Sequence, residues 1–94
     1  MPSPTTTTTA VTTTAAIAGT PKGSRKALII TNPTASGVTV YVGGSTVSST
    51  NYAFLLAAGD PPLIFTGDDA LIAWYIRGSG SGNIVLTDVT ESYS

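Results

Sequence analysis

The chain contains neither cysteine nor histidine, and this excludes two common ways of stabilising a small protein. A domain of 94 residues buries only about 60–65% of its unfolded surface, so it usually needs disulfides, metals or partner subunits as a supplement. Disulfides require Cys, and structural zinc sites are built from Cys and His. Association with further subunits remains, and the sequence therefore predicts a homo-oligomer.

Charged residues are scarce as well. They make up 10% of the chain, against about 25% in typical soluble domains. The polar part of the surface must come mainly from the 27 threonine and serine residues. A surface with so little charge is expected to lie packed against neighbouring proteins.

Concentrated positive charge and long apolar runs are missing too. The net charge is −1, and the basic cluster of Lys22, Arg25 and Lys26 is too small to follow a phosphate backbone. The longest apolar runs, residues 53–58 and 70–76, are much shorter than the roughly 20 residues of a membrane-spanning helix. The first residues lack the features of a signal peptide. We therefore predict no nucleic-acid partner, no membrane span and no export.

Short alternating segments that end at turn residues are abundant, and they predict β-strands. The predicted strands are residues 11–18, 26–31, 38–42, 52–56, 63–66, 70–77 and 84–89. No window shows a helical period free of Gly and Pro, and good helix formers are rare. The predicted fold is all-β, a compact antiparallel β-sandwich or β-barrel of about seven short strands.

The N-terminal residues 1–10 contain the threonine run Thr5, Thr6, Thr7, Thr8 and Thr9 and carry no charged side chain. Such a composition is compatible with disorder, but threonine is β-branched and favours extended backbone. We predict an extended arm at residues 1–10, followed by a single domain at residues 11–94. The arm is expected to add as a strand to a sheet edge of a neighbouring protein, either an adjacent subunit or another component of the same assembly.

Several segments occur in an order that resembles a known group of proteins. After the Thr-rich start come RKALIITN (residues 25–32), VTVYVGGSTVSSTN (38–51), LLAAGD (55–60) and GDDALIAWYI (67–76). This order is similar to small bacteriophage virion proteins with the theme R-K-x-L-x-I-x-N, V-x-V-G, L-x-A-G-(D/E) and (D)-x-L-x-A. The resemblance covers about residues 10–90. The oligo-threonine start and the pair Pro61 and Pro62 depart from it.

The resemblance implies a compact β-module that acts as a structural virion protein. Members of this group are capsid decoration (cement) proteins or modules of head and tail fibres. A capsid decoration protein is therefore expected, assembled in the host cytoplasm, with the major capsid protein or other virion proteins as partners. A trimer is expected because such proteins often occupy three-fold positions. The alternative function is a receptor- or glycan-binding module of a phage head or tail fibre.

Residues that could support catalysis do not form a recognisable pattern. Ser and Thr nucleophiles have no His as a base, and G-x-S-x-G is absent. Asp68 and Asp69 are expected to form a polar turn, with a surface Ca²⁺ site as the alternative. The glycine-rich residues 78–83 are predicted to be a flexible hairpin loop, because a strand follows them rather than a helix. We predict no enzymatic activity, no cofactor and no metal.

The candidate interface residues are aromatic, basic or part of the threonine run. Tyr41 and Tyr75 lie on mixed strand faces, and Tyr is enriched in interfaces. Trp74 is expected to pack in the core beside Ile72 and Ile76, although an aromatic sugar-binding platform is the alternative. Two roles stay open for Arg25 and Lys26, which either keep the strand start solvated or form ion pairs with a neighbouring capsid protein.

Overall fold

The computed structural model describes residues 2–18 and 25–91. Within these residues eight strands and two short 3₁₀ turns follow one another. The strands are β1 (Pro2–Val11), β2 (Ala16–Ile17), β3 (Arg25–Thr31), β4 (Val40–Gly43), β5 (Phe54–Leu56), β6 (Leu63–Thr66), β7 (Tyr75–Gly78) and β8 (Gly82–Glu91). The 3₁₀ turns are Thr34–Ser36 and Gly67–Leu71.

The strands form two four-stranded antiparallel sheets. Sheet A has the order β1-β8-β3-β6, and sheet B has the order β2-β7-β4-β5. Among the described strands, only β4 and β5 are consecutive in the chain and paired with each other; every other pair of consecutive strands is divided between the two sheets. The predicted all-β sandwich is confirmed, and neither sheet closes into a barrel.

The core lies between the two sheets. In β3 and β8 every second side chain points inward, as expected for strands with one buried face. The buried aliphatic residues from sheet A include Leu28, Ile30, Ile84 and Leu86, and those from sheet B include Val40, Val42 and Ile76. Complete burial of a side chain of this size contributes about 1.5–3 kcal/mol, so these few residues supply much of the free energy that holds the sandwich together.

The prediction of a strand at residues 70–77 is wrong over its first half. A 3₁₀ turn occupies Gly67–Leu71, and β7 begins only at Tyr75. Gly67 has a φ of 60°, a conformation that glycine adopts without steric cost, and it starts this turn. Ile72 is therefore 47% exposed, whereas Ile76 is buried, so these two residues do not share a face as predicted.

The predicted hairpin at residues 78–83 is wrong too, because β7 belongs to sheet B and β8 to sheet A. The chain crosses between the sheets at this point, in a space that only glycine fits. A Cβ atom on Gly78 would lie 2.6 Å from the carbonyl oxygen of Gly80, and one on Gly82 would lie 2.7 Å from that of Ser36. The glycines allow close packing of backbone against backbone.

The N-terminal segment differs from the predicted separate arm. Residues 2–11 form β1, which pairs with β8 of the same chain in ten consecutive positions, from Pro2 opposite Glu91 to Val11 opposite Gly82. Residues 2–10 are thus an edge strand of sheet A. The predicted strand at residues 11–18 is interrupted after Val11, and β2 then joins sheet B. Met1, the residues around Lys22 and residues 92–94 lie outside the described part of the chain.

Candidate interaction surfaces

Arg25 is buried, with 2% of its surface exposed. Its Nε donates a hydrogen bond to the carbonyl oxygen of Ala70, and its Nη2 donates one to that of Ile72 at 2.9 Å. Its Nη1 lies 3.3 Å from a carboxylate oxygen of Asp88. Arg25 thus fastens the 3₁₀ turn to β8, and the prediction of an exposed interface residue at this position is wrong.

Lys26, the next residue, is exposed. The register of β3 against β8 shifts between Arg25 and Ala27, which is the signature of a β-bulge. Without the shift, Arg25 would share the outward face with Ala27, because side chains two residues apart lie on the same face of a regular strand; the bulge instead accompanies the burial of Arg25. The Arg25–Lys26 pair therefore combines a structural residue with a solvated residue.

Trp74 is half-buried and packs against the core. Its ring stacks on that of Phe65, with a centroid distance of 4.2 Å and an interplanar angle of 13°, and Phe54 contacts it edge-on at 5.9 Å. The indole nitrogen donates a hydrogen bond of 2.8 Å to the carbonyl oxygen of Asp69. Phe65 thus covers one face of the Trp74 ring, and the polar atom of that ring has a partner.

Sheet B carries aromatic residues on its outward face. Tyr41 of β4 lies opposite Leu55 of β5 and Arg77 of β7. The centroid of its ring is 5.2 Å from the centroid of the Tyr52 ring. We call the set Tyr41, Tyr52, Leu55, Tyr75 and Arg77 the tyrosine face. Tyr52 is 44% and Leu55 is 45% exposed, while Tyr41 and Tyr75 are half-buried. Large apolar groups are therefore accessible on this sheet.

The single cation of the tyrosine face is held in place. The guanidinium carbon of Arg77 lies 5.9 Å from the centroid of the Tyr41 ring, within the range of a cation–π interaction. Its Nε donates a hydrogen bond of 2.7 Å to the carbonyl oxygen of Thr13. The Arg77 and Tyr41 side chains thus form an ordered pair at the surface.

The threonine run lies on the free edge of sheet A. The side chains of residues 4–8 are exposed, Thr9 is half-buried, and Val11 reaches the core. The hydroxyl of Thr6 lies 3.4 Å from that of Thr87 on β8. We call residues 5–9 of β1 the threonine edge. Its position at the surface fits the predicted interface role of Thr5, Thr6, Thr7, Thr8 and Thr9, although its present partner is β8 of the same chain.

The outward face of sheet A carries no charged side chain in its central rows. The registers place Thr6, Thr87, Ile29 and Ile64 in one row; Thr8, Val85 and Thr31 in the next; and Pro4, Val89, Ala27 and Thr66 in the third. Ile64 is 57% exposed. This face lies on the opposite side of the sandwich from the tyrosine face, so the structure does not bring the predicted interface residues into one site.

Sequence reasoning identified Tyr41 and Tyr75 but missed Leu55, Arg77, Ile29 and Ile64 as surface residues. One signal for Ile29 was present in the sequence, because strand residues 28–30 are apolar on both faces. Leu55 and Arg77 belong to the tyrosine face only through the order of the strands in sheet B, which depends on pairing between residues far apart in the chain.

Within residues 2–18 and 25–91, no helix is long and apolar enough to cross a membrane. The same residues contain no group of three or more acidic side chains that could hold a metal ion. Asp68 and Asp69 are exposed in the 3₁₀ turn. Comparison with protein-family models, curated proteins and solved structures found no match for this chain.

Proposed function

We propose that this protein is a non-catalytic structural subunit of a virion, and specifically a capsid decoration protein. The observation that carries the proposal is the pair of outward sheet faces. One face is rich in Thr, Val and Ile and carries no charge in its central rows, and the other presents tyrosines, a leucine and one arginine. Depletion of charge and enrichment of Tyr and Arg are the compositional features of protein–protein interfaces.

The virion part of the proposal rests on the sequence resemblance. In the structure, the segment RKALIITN (residues 25–32) contributes to the framework of the domain. Arg25 anchors the 3₁₀ turn, while Leu28 and Ile30 fill the core. The amide of the buried Asn32 donates hydrogen bonds to the carbonyl oxygens of Val38 at 2.8 Å and Leu56 at 2.9 Å. The segment therefore builds the framework of the domain, and the surfaces described above are available for binding.

We assign the tyrosine face to the contact with the major capsid protein. Tyr41 and Tyr75 offer rigid rings that gain contact area at a low cost in side-chain entropy. Each contact can be modest, because many symmetric copies on one shell stabilise it together by mass action. Such a role requires shape and apolar contact and no chemical step.

Substitution of Tyr41 tests this assignment. Purified Tyr41→Ala protein is added to phage particles that lack the endogenous copy, and the bound fraction is measured by co-sedimentation. We expect binding to weaken tenfold or more, about 1.4 kcal/mol. Leu71→Ala is the control, because Leu71 is an exposed apolar residue, 42% accessible, outside both faces. Equal binding of the Tyr41→Ala and wild-type proteins would contradict the assignment.

The alternative is a receptor- or glycan-binding module of a head or tail fibre. The observation that favours it is the tilted pair of Tyr41 and Tyr52 rings beside Arg77, because exposed rings next to a polar group can stack on a sugar. Copy number separates the two functions. Hundreds of copies per particle indicate decoration, and a few tens or fewer indicate a fibre. Calorimetric titration with host surface glycans tests the alternative directly, with Tyr52→Ala expected to lose binding and Leu71→Ala, outside both faces, expected to keep it.

A further inference from the structure

The outward edge of β1 is an unusually long pairing surface for so small a domain. β1 has ten residues, and in the described part of the chain it pairs with β8 on one side only. The other edge strands, β6, β5 and β2, have four, three and two residues. About half of the backbone N–H and C=O groups of an antiparallel edge strand point away from its neighbour. β1 therefore offers a regular row of free donors and acceptors.

This edge lacks the devices that usually prevent strand addition. Soluble proteins protect exposed edges with lysines, prolines, bulges or very short strands. Residues 5–11 contain no charged residue and no proline, and β1 pairs with β8 without a register shift. Pro4 restricts the beginning of the strand only. The unprotected part of the edge thus begins at the threonine edge.

We infer that two copies of the chain pair through β1, antiparallel across a two-fold axis at or next to Thr7, and form one eight-stranded sheet. In an antiparallel pair, directly opposite side chains lie on the same face. A two-fold axis that relates two identical antiparallel strands must therefore pass midway between one residue of β1 and its own copy on the neighbouring strand. The outward faces of both A sheets then lie on the same side and form one continuous surface whose central rows are uncharged.

A second copy fits this edge better than an unrelated strand does. The sequence of residues 5–9 is the same in both directions, so the antiparallel register centred on Thr7 places all five threonines opposite threonine. Cross-strand Thr–Thr pairs are favourable, and Thr6 with Thr87 already forms one within the chain. Residues 2–18 contain no charged residue, so no like charges meet when the two copies approach each other.

The area of the β1–β1 interface limits the expected affinity of the dimer. A ten-residue strand is about 33 Å long, and its edge offers less area than the roughly 800 Å² per partner of a standard stable interface. We therefore expect a dimer with a Kd in the micromolar range. This inference does not depend on a role in a virion. It replaces the trimer implied by the resemblance with a pair, because a contact between identical edges closes on itself.

A lysine in the threonine edge tests the pairing. In Thr7→Lys, two ammonium groups would meet near the axis, and sedimentation equilibrium is expected to show at least tenfold weaker dimerisation than in the wild type. Thr50→Lys places the same change on an exposed loop residue and should leave dimerisation unchanged. Circular dichroism melting confirms that both variants are folded. A wild type that stays monomeric at about 1 mM, or equal dimerisation of the two variants, would overturn the inference.

The absence of cysteine allows a second test, which identifies the contact itself. Single variants Thr6→Cys, Thr7→Cys and Thr8→Cys are oxidised at concentrations where the dimer forms. The residue at the axis is expected to cross-link most efficiently, because opposite Cβ atoms lie within about 4.5–5.5 Å, close to disulfide geometry. A wild-type dimer with no cross-link in any of the three variants would contradict the β1 pair. It would point instead to exchange of β1 between copies, in which Thr7 would face Leu86 of the second copy.

Discussion

The two strands that flank β8 are held by different forces. On one side β3 buries Leu28 and Ile30 in the core and anchors Arg25 at its start. On the other side the side chains of residues 4–8 of β1 are exposed, and this part of the strand is held mainly by its ladder with β8. A backbone hydrogen bond contributes only about 0.5–1.5 kcal/mol net. The comparison teaches that β3 determines whether the domain folds, whereas the threonine edge is available for association.

The largest expected effect is the loss of Arg25. Arg25→Ala leaves Asp88 and the carbonyl oxygens of Ala70 and Ile72 without their partner, and breaking a buried ion pair costs about 3–5 kcal/mol. Urea denaturation should show a loss of that size in the free energy of unfolding. Lys26→Ala, at the exposed neighbouring position, should unfold like the wild type. Equal free energies of unfolding for the two variants would contradict the claim that the anchoring of Arg25 on β3 is needed for the domain to fold.

The second largest loss of stability is expected for Trp74→Ala. The ring stacks on Phe65 and is half-buried, so we expect a loss of about 2–4 kcal/mol, at the lower end of the range for truncation of a large aromatic residue. Thermal unfolding followed by circular dichroism measures it. A mutant of normal stability that no longer binds glycans would instead support Trp74 as a sugar-binding platform.

A smaller effect is expected at the crossing between the sheets. Gly82→Ala places a Cβ atom 2.7 Å from the backbone oxygen of Ser36, and such overpacking typically costs about 1–3 kcal/mol. Gly80→Ala is the matched control, because its Cβ would meet only a Val38 methyl at an ordinary 3.7 Å. Chemical denaturation of the two variants compares them. Equal stability would show that the crossing is not tightly packed.

The smallest effect on folding is expected in the threonine edge. Thr7 is exposed, so Thr7→Ala should change the free energy of unfolding by no more than about 0.5 kcal/mol. The measurement is urea denaturation at a protein concentration low enough to keep the chain monomeric. A loss of more than about 2 kcal/mol would place the edge among the residues that determine the fold.

The local part of the fold could be predicted from the sequence. Alternation predicted strands at residues 26–31 and 38–42, and the apolar run bounded by Pro62 and Gly67 predicted the strand at residues 63–66. These patterns reflect the burial of one strand face, which is a local property. The strand predicted at residues 70–77 failed because an apolar run does not reveal a 3₁₀ turn that begins at Gly67.

The remaining features depend on contacts between distant residues. The inward position of Arg25 results from a bulge and from carbonyl groups 45 and 47 residues away, so no local pattern could indicate it. The extended backbone of the threonine run was predictable from β-branching, but its pairing with β8 was not. Tyr41 and Tyr75 could be placed outward by alternation, whereas the neighbours that make them a surface required the order of the strands.

The central claim, a structural role in a virion, is tested most directly by counting. The proposal requires that the chain is encoded by a phage, so particles of that phage are purified on a density gradient, and quantitative mass spectrometry measures the ratio of this protein to the major capsid protein. A decoration protein is expected in a fixed ratio that corresponds to hundreds of copies per particle. Absence of the protein from purified particles, together with its presence in the infected cell, would contradict the account.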